Sequence, residues 1–285
     1  MVILFIGKDG FLGSHLLNSF KSSNNLLLYG VKSMPRKLIA NNIKSYYLTN
    51  LDNINKLSKI NIDIVINTAV VYGKNNKNSK LWETNVKMPL MLTRIVKNPE
   101  CIFINFGSFY TKFSKYPNLK KYSDSKIALN NGLKKIKNKK IVMLHLEHLY
   151  GENDSKDKFI PTMLENLING VNEIKLTNCN QKRDFVHVDD ITKLIHNIID
   201  QKSKLSLGMN EFEVGTGKSI PIKKLLILMK KKTDSSTNLN FGALELDQNE
   251  IMDSKANISS LIDLFGWAPE ISIKKGIDSL ILSQK

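Results

Sequence analysis

The chain opens on a strand, a glycine-rich turn and a helix, and no other segment constrains the fold as much. Residues 2–6 are an apolar run, as expected of a strand buried on both faces of a parallel sheet. Gly7-Lys8-Asp9-Gly10-Phe11-Leu12-Gly13 follows at once, and residues 14–20 then place Leu16, Leu17 and Phe20 at helical spacing. A dinucleotide fingerprint requires this context. The glycines permit a tight turn, let backbone approach a pyrophosphate and seat helix against strand, while the helix start offers unpaired N–H groups and a positive dipole end. The spacing is G-x-x-G-x-x-G rather than G-x-G-x-x-G.

Further strands are expected over 26–31, 63–68, 101–106 and 141–146, alternating with helical stretches, which predicts right-handed βαβ crossovers and a parallel sheet. After about residue 150 the elements shorten. Helices are expected over 159–170, 191–199 and 222–230, and strands at 173–176 and 212–214. The expected class is α/β: a Rossmann-type doubly wound sheet over 1–150, and a smaller α/β substrate-binding lobe over 151–285 with segments returning to the sheet. An NAD site would carry an acid at the end of the second strand, for the ribose 2′-hydroxyl. The chain reads Lys32-Ser33-Met34-Pro35-Arg36 there, so NADP(H) is favoured and NAD(H) is the alternative.

Tyr122-Ser123-Asp124-Ser125-Lys126 sets a phenol and an ammonium four residues apart, on one face of an expected helix over 122–137. A nearby cation favours a phenolate, so Lys126 is expected to lower the Tyr122 pKa and make it a usable proton donor. On its own, this spacing more often marks a half-buried ring beside a solvated charge.

Its company decides between the two. Asp63-Ile64-Val65-Ile66-Asn67-Thr68-Ala69, Glu83-Thr84-Asn85-Val86, Phe103-Ile104-Asn105-Phe106-Gly107-Ser108, the Tyr122/Lys126 pair, Leu146-Glu147-His148-Leu149-Tyr150-Gly151, Arg183-Asp184-Phe185-Val186-His187-Val188-Asp189-Asp190 and Leu264-Phe265-Gly266-Trp267-Ala268-Pro269 occur in this order. Together they resemble the extended short-chain dehydrogenase/reductases, in the nucleotide-sugar branch of the epimerase/dehydratase group. The middle of the chain is most similar to the sugar-nucleotide 4-ketoreductases of the CDP-abequose and CDP-paratose synthase type. Glu152 departs from the usual Pro after Tyr-Gly.

The resemblance implies NADPH-dependent reduction of a nucleotide-linked 4-keto-6-deoxy sugar for surface-polysaccharide precursors, with an NAD-dependent 4-epimerase or 4-dehydrogenase as the alternative. A silent NADP-binding scaffold is the reading from another class. Tyr122 would handle the hydroxyl proton, Ser108 would align the reacting oxygen, and Lys126 would hold the nicotinamide ribose. Cofactor contacts are expected from Gly7, Asp9, Gly10, Phe11, Leu12, Gly13, Lys32, Ser33, Arg36, Asn50, Leu51, Thr68, Ala69, Val70, Asn85, Tyr122, Lys126 and Leu149. Substrate contacts are expected from Tyr72, Ser108, Phe109, Glu147, His148, Phe159 and Arg183, the guanidinium taking the nucleotide diphosphate. Phe109-Tyr110 stands where dehydratases of this group carry Asp-Glu and 3,5-epimerase/reductases a Cys, which argues against both chemistries.

Other features are read more plainly. Asp184, Asp189 and Asp190 are expected to cap and orient a helix, His187 to pack in the core, and no metal site is expected. Thr216-Gly217-Lys218 lacks the full phosphate-loop pattern. The charge of +16 comes from 42 Lys and Arg against 26 Asp and Glu. With Lys, Asn and Ile abundant and Arg scarce, it reads as solvated faces rather than a nucleic-acid groove. Such a field attracts anionic nucleotides. The two cysteines, the start on a strand and the lack of a long apolar run suggest a cytoplasmic chain without disulfides or membrane span. By resemblance it is a homodimer, pairing helices over 81–96 and 127–136.

Overall fold

The structure is a computed structural model that describes residues 1–20, 25–30, 43–47, 57–72, 78–113 and 119–284. Two compact units are present: Met1–His145 with His196–Phe212, and Leu146–Ile195 with Glu213–Lys285.

In the first unit, β1 (Val2–Ile6) is followed by α1 (Phe11–Phe20), β2 (Asn25–Gly30), β3 (Ile43–Tyr47) and β4 (Ile64–Asn67). Helix α2 (Asn78–Trp82) passes through a π-helical turn (Glu83–Lys87) into α3 (Met88–Ile95), where the Met88 N–H reaches back to Glu83 O. Then come β5 (Ile102–Ser108), a 3-10 turn (Phe109–Phe113), α4 (Lys120–Lys134) and β6 (Lys140–Leu146). The sheet order among the described residues is β11-β6-β5-β4-β1-β2-β3, β11 being Gly208–Val214. β1 pairs in parallel with both β2 and β4, and β4 with β5, setting Ile6 beside Asn67 and Asn67 beside Asn105. Chain order reverses across β1 and β4, so their carboxyl ends flank a topological switch point, where open α/β sheets bind ligands.

The central strands form around apolar runs that are buried on both faces. β1, β4 and β5 pack through Leu4, Ile6, Val65 and Phe103 against Leu92, Leu129, Leu133 and Met143. β3 is absent from the sequence-based expectation: Ile-Lys-Ser-Tyr-Tyr has neither an unbroken apolar run nor a clean alternation.

In the second unit, β7 (His148–Tyr150) pairs in parallel with β10 (Phe185–His187). Helices α5 (Phe159–Ile168), α7 (Ile222–Thr233) and α8 (Ile273–Leu282) share a core of Leu164, Leu167, Leu225, Leu226, Ile277 and Leu280. β8 (Glu173–Leu176) pairs with β13 (Asn238–Phe241), and β9 (Lys182–Arg183) lies between β12 (Ile220–Pro221) and β14 (Asp253–Ser254). Helix α6 (Val188–Asp200) begins three residues before the expected start at 191, with Asp189 and Asp190 in its first turn. Asp184 does not cap it, contrary to expectation. Its buried carboxylate instead accepts from Thr216 N at 2.8 Å, Thr216 Oγ1 at 2.6 Å, Gly217 N at 3.0 Å and Ala256 N at 3.2 Å. Residues 215–217 are thus an anchor for that acid: a Cβ on Gly215 would collide with Asp184 Oδ2. Asp190 likewise takes the N–H groups of Glu270 and Ile271, each at 3.1 Å, while its own carbonyl accepts from Trp267 Nε1 at 3.2 Å. The hallmark acids therefore fasten loops as well as a helix start.

Candidate active site

The turn after β1 has no room for side chains at two glycines. Gly7 has φ +86°, and a Cβ there would lie 2.5 Å from Ala69 N; a Cβ on Gly13 would overlap Gly7 O. Thr68 Oγ1 ties the turn to β1 by donating within reach of Ile6 O (2.9 Å) and Gly7 O (3.0 Å). Gly10 N donates to Gly7 O at 3.1 Å, and α1 begins one residue later. The result is a tightly packed glycine turn at a helix start, the backbone form on which a dinucleotide's pyrophosphate is held. Lys8 is buried in this turn and pairs with Asp9, whose side chain is largely exposed. Lys32, Ser33, Arg36, Asn50 and Leu51 lie outside the described residues.

Asn85 is buried in the π-helical turn. Its Oδ1 accepts the Val71 N–H at 2.9 Å, and its Nδ2 lies 2.8 Å from Val71 O and 3.0 Å from Ser125 Oγ. Its amide is spent on holding the segment after β4, to which Ala69, Val70 and Tyr72 belong, against α4. Val70 and Tyr72 are exposed on that segment.

Ser108 ends β5, and its Oγ accepts from Tyr110 N at 3.3 Å. Tyr122 and Lys126 lie one turn apart on α4 and are both buried. Tyr72 stacks on the Tyr122 ring at 4.9 Å between centroids, and Tyr110 meets it edge-on at 6.4 Å. Phe109 packs on Tyr110 at 4.1 Å, and Tyr110 O accepts from Ser123 Oγ at 3.1 Å. Lys126 Nζ donates to Phe106 O at 2.7 Å and lies 5.8 Å from the Tyr122 ring centroid. The structure thus brings Ser108, Tyr122 and Lys126 together beside Tyr72 and Phe109, next to the switch point.

One expectation is reversed. Burial, with Tyr72 close by, pushes the Tyr122 phenol above its ordinary range, while its hydrogen bond with Ser108 acts the other way. Lys126 does not lower it: burial alone brings the ammonium down to about 8, and its proton is engaged by the Phe106 carbonyl. Tyr122 is held as a neutral phenol rather than a phenolate.

In the second unit, Glu147 is buried and accepts from Ser254 Oγ at 2.7 Å, with His148 Nδ1 3.7 Å from the same carboxylate oxygen. Burial lowers the His148 pKa against the pull of Glu147. Leu149 follows in β7, opposite Val186. Arg183 is buried: Nη1 donates to Lys182 O at 2.7 Å and to Ile251 O, and Nη2 pairs with Glu250. Phe159 is exposed at the start of α5. Glu250 and Ile251 have no recognisable motif in the sequence; only the fold brings them to Arg183.

Among the described residues, Glu152, His187 and Asp189 bring possible metal ligands within 4.8 Å of one another. The two carboxylates approach different imidazole nitrogens, Glu152 at Nε2 (3.5 Å) and Asp189 at Nδ1 (3.7 Å), and Nδ1 accepts the Asp189 N–H at 3.3 Å. The ring itself is packed in the core as expected.

Comparison with known proteins identifies the family. CDP-abequose synthase of Salmonella muenchen is 33% identical over 289 residues, covering 98% of this chain and 96% of that protein. dTDP-4-dehydro-6-deoxyglucose reductase of Escherichia coli is 25% identical, covering 99% and 96%. The solved structure of UDP-glucuronic acid 4-epimerase from Bacillus cereus, in complex with UDP-glucuronic acid and NAD, superposes with a TM-score of 0.80 at 20% identity, covering 98% of each chain. The sequence pattern of one family matches residues 3–215. On that match and the end-to-end likeness to its members, the chain belongs to the NAD dependent epimerase/dehydratase family.

Proposed function

We propose that this chain uses NADPH to reduce a nucleotide-linked 4-keto-6-deoxy sugar to its 4-hydroxy form. The observation that carries the reading is the convergence of Ser108, Tyr122 and Lys126 at the carboxyl end of β5. The likeness to CDP-abequose synthase and dTDP-4-dehydro-6-deoxyglucose reductase supports the substrate class.

Gly7, Gly10 and Gly13 would hold the dinucleotide's pyrophosphate, and Lys126 its nicotinamide ribose; the bound cofactor supplies hydride to the sugar carbonyl carbon. Tyr122 gives its phenolic proton to the carbonyl oxygen as negative charge develops there. Ser108 donates to the same oxygen and aligns it. Burial keeps the phenol protonated but makes it a weaker acid, so its proton moves only as negative charge develops on the carbonyl oxygen. Tyr72 and Tyr110 pack on the Tyr122 ring, with Phe109 behind Tyr110. Phe109-Tyr110 offers no acid–base pair for eliminating water, which supports simple reduction over dehydration. The cations Lys32 and Arg36, with no acid at the end of β2, support NADPH over NADH.

The test is to titrate the purified protein with NADPH and NADH by nicotinamide fluorescence, then add CDP- and dTDP-linked 4-keto-6-deoxyglucose. Oxidation of NADPH by one of them, abolished in Tyr122→Phe with NADPH binding retained, is the expected result. Tightly held NAD that survives purification, with no net oxidation, would replace the reading with a 4-epimerase.

A further inference from the structure

Gly107 stands between Phe106, whose carbonyl takes the Lys126 ammonium, and Ser108. A Cβ at Gly107 would lie 2.5 Å from Nδ1 of His145 and 2.9 Å from its Cε1, so the imidazole lies directly against this strand end. His145 is buried on β6, beside β5 in the sheet. Its Nε2 is 2.7 Å from Glu211 Oε1 on β11. Glu211 also accepts from Asn130 Nδ2 at 2.8 Å and pairs with Lys134 Nζ at 3.1 Å. Burial opposes its charge, but Asn130, Lys134 and His145 together hold the carboxyl below its ordinary range. An ionised carboxylate accepts only, so Nε2 carries the proton, and Nδ1, which has no hydrogen-bond partner among the described residues, faces Gly107.

Asn130 and Lys134 lie four and eight residues beyond Lys126 on α4, so Tyr122, Lys126, Asn130 and Lys134 run along one side of the helix. The inner half of that row belongs to the proposed chemistry. The outer half is bonded to Glu211, and through it to His145, whose ring packs on the backbone just before Ser108. The end of β5 is therefore met twice: Lys126 bonds Phe106 O, the imidazole packs on Gly107, and both side chains lead back to α4.

We propose that His145 and Glu211 are a positioning couple for the reaction: by tying α4 to the strand end at Gly107, they set the spacing between the Ser108 hydroxyl and the Tyr122 phenol. The inference rests on the reading of Ser108 and Tyr122 as reacting groups. A misplacement of about 1 Å costs on the order of 100-fold in rate without touching the reactants.

Three variants separate positioning from bulk. His145→Phe keeps a ring against Gly107 but cannot donate to Glu211. Glu211→Ala removes the acceptor, whereas Glu211→Gln keeps an oxygen for His145. With NADPH and CDP- or dTDP-linked 4-keto-6-deoxyglucose, His145→Phe and Glu211→Ala are expected to lower kcat by roughly 10- to 100-fold, with KM and NADPH affinity nearly unchanged, and Glu211→Gln to restore most of it. In a Ser108→Ala background His145→Phe should cost little more, because residues that act through one another are non-additive. A substrate-free readout uses ring-carbon-labelled tyrosine: His145→Phe should shift the Tyr122 resonance in the direction that Ser108→Ala shifts it.

An equal fold loss from His145→Phe with and without Ser108 overturns the proposal, as does an unmoved Tyr122 resonance with unchanged kcat. If Tyr122→Phe itself keeps full turnover, the functional reading fails first. If Tyr122→Phe is inactive and the two losses add, only the positioning role fails.

Discussion

Lys126 makes the protein's stability depend on pH in a direction opposite to most lysines. The folded chain holds its pKa at about 8 against 10.5 for the free side chain, because the ammonium is buried. Below pH 8 both the folded and unfolded chains carry the proton, and the burial penalty is present in full. Between pH 8 and 10.5 the unfolded chain keeps a proton that the folded chain has released, so this group's contribution to stability rises with pH across that window. At about 1.4 kcal/mol per pH unit, the whole rise amounts to about 3 kcal/mol. Lys126→Met removes the titration. It also takes the Phe106 carbonyl's partner away, at a cost of about 1–3 kcal/mol, but that cost does not vary with pH and only offsets the curve. Urea unfolding, followed by the fluorescence of Trp82 and Trp267 at steps from pH 7 to 10.5, gives both stabilities. Wild type minus Lys126→Met cancels every other titrating group. That difference should be flat to pH 8 and then climb in favour of wild type. A difference that stays flat throughout would refute the burial argument; one that falls would mean that an anionic group dominates at Nζ.

Other perturbations test the scaffold around the site. Gly13→Ala places a Cβ against Gly7 O and Thr68 Oγ1, and should abolish dinucleotide binding in a fluorescence titration while the far-ultraviolet spectrum stays α/β. Asp184→Asn turns one of two accepting oxygens into a donor facing Thr216, Gly217 or Ala256 N–H groups, and should cost about 2–4 kcal/mol in urea. A loss under about 0.5 kcal/mol would show that the loop finds other partners. Asn85→Ala leaves the Val71 N–H and carbonyl without their side-chain partner; about 2 kcal/mol of stability should be lost, with faster hydrogen exchange at Val71 as the local sign.

The parts legible in the sequence are those with strong local chemistry. β1 and its turn announce themselves because an unbroken apolar run meets glycines that only a tight backbone approach requires. The Tyr122 and Lys126 spacing places two side chains on a helix whatever surrounds them. Their protonation was not legible: it depends on Tyr72, Ser108 and the Phe106 carbonyl, none adjacent in the chain. Asp184 was misread for a related reason. An acid shortly before an apolar helical pattern looks like a cap, and nothing local reveals that residues 215–217 return to it. The pairing of Arg183 with Glu250 spans 67 residues, and that of His145 with Glu211 spans 66, so neither leaves a short-range trace.

The π-helical turn at Glu83–Lys87 gives the α2–α3 helix an unusual sensitivity to length. Each residue in a helix advances the side chains by about 100°. Removing a single codon there would let the helix run on regularly, but it would swing Asn85 away from Val71 and Ser125, or else turn the apolar side of α3 off the sheet. Most loops of such a protein accommodate a gained or lost residue. Here one residue is the difference between a helix that merely covers the sheet and one that also fixes the wall beside Tyr122, so this stretch should tolerate substitutions on its exposed side far better than it tolerates any change in length.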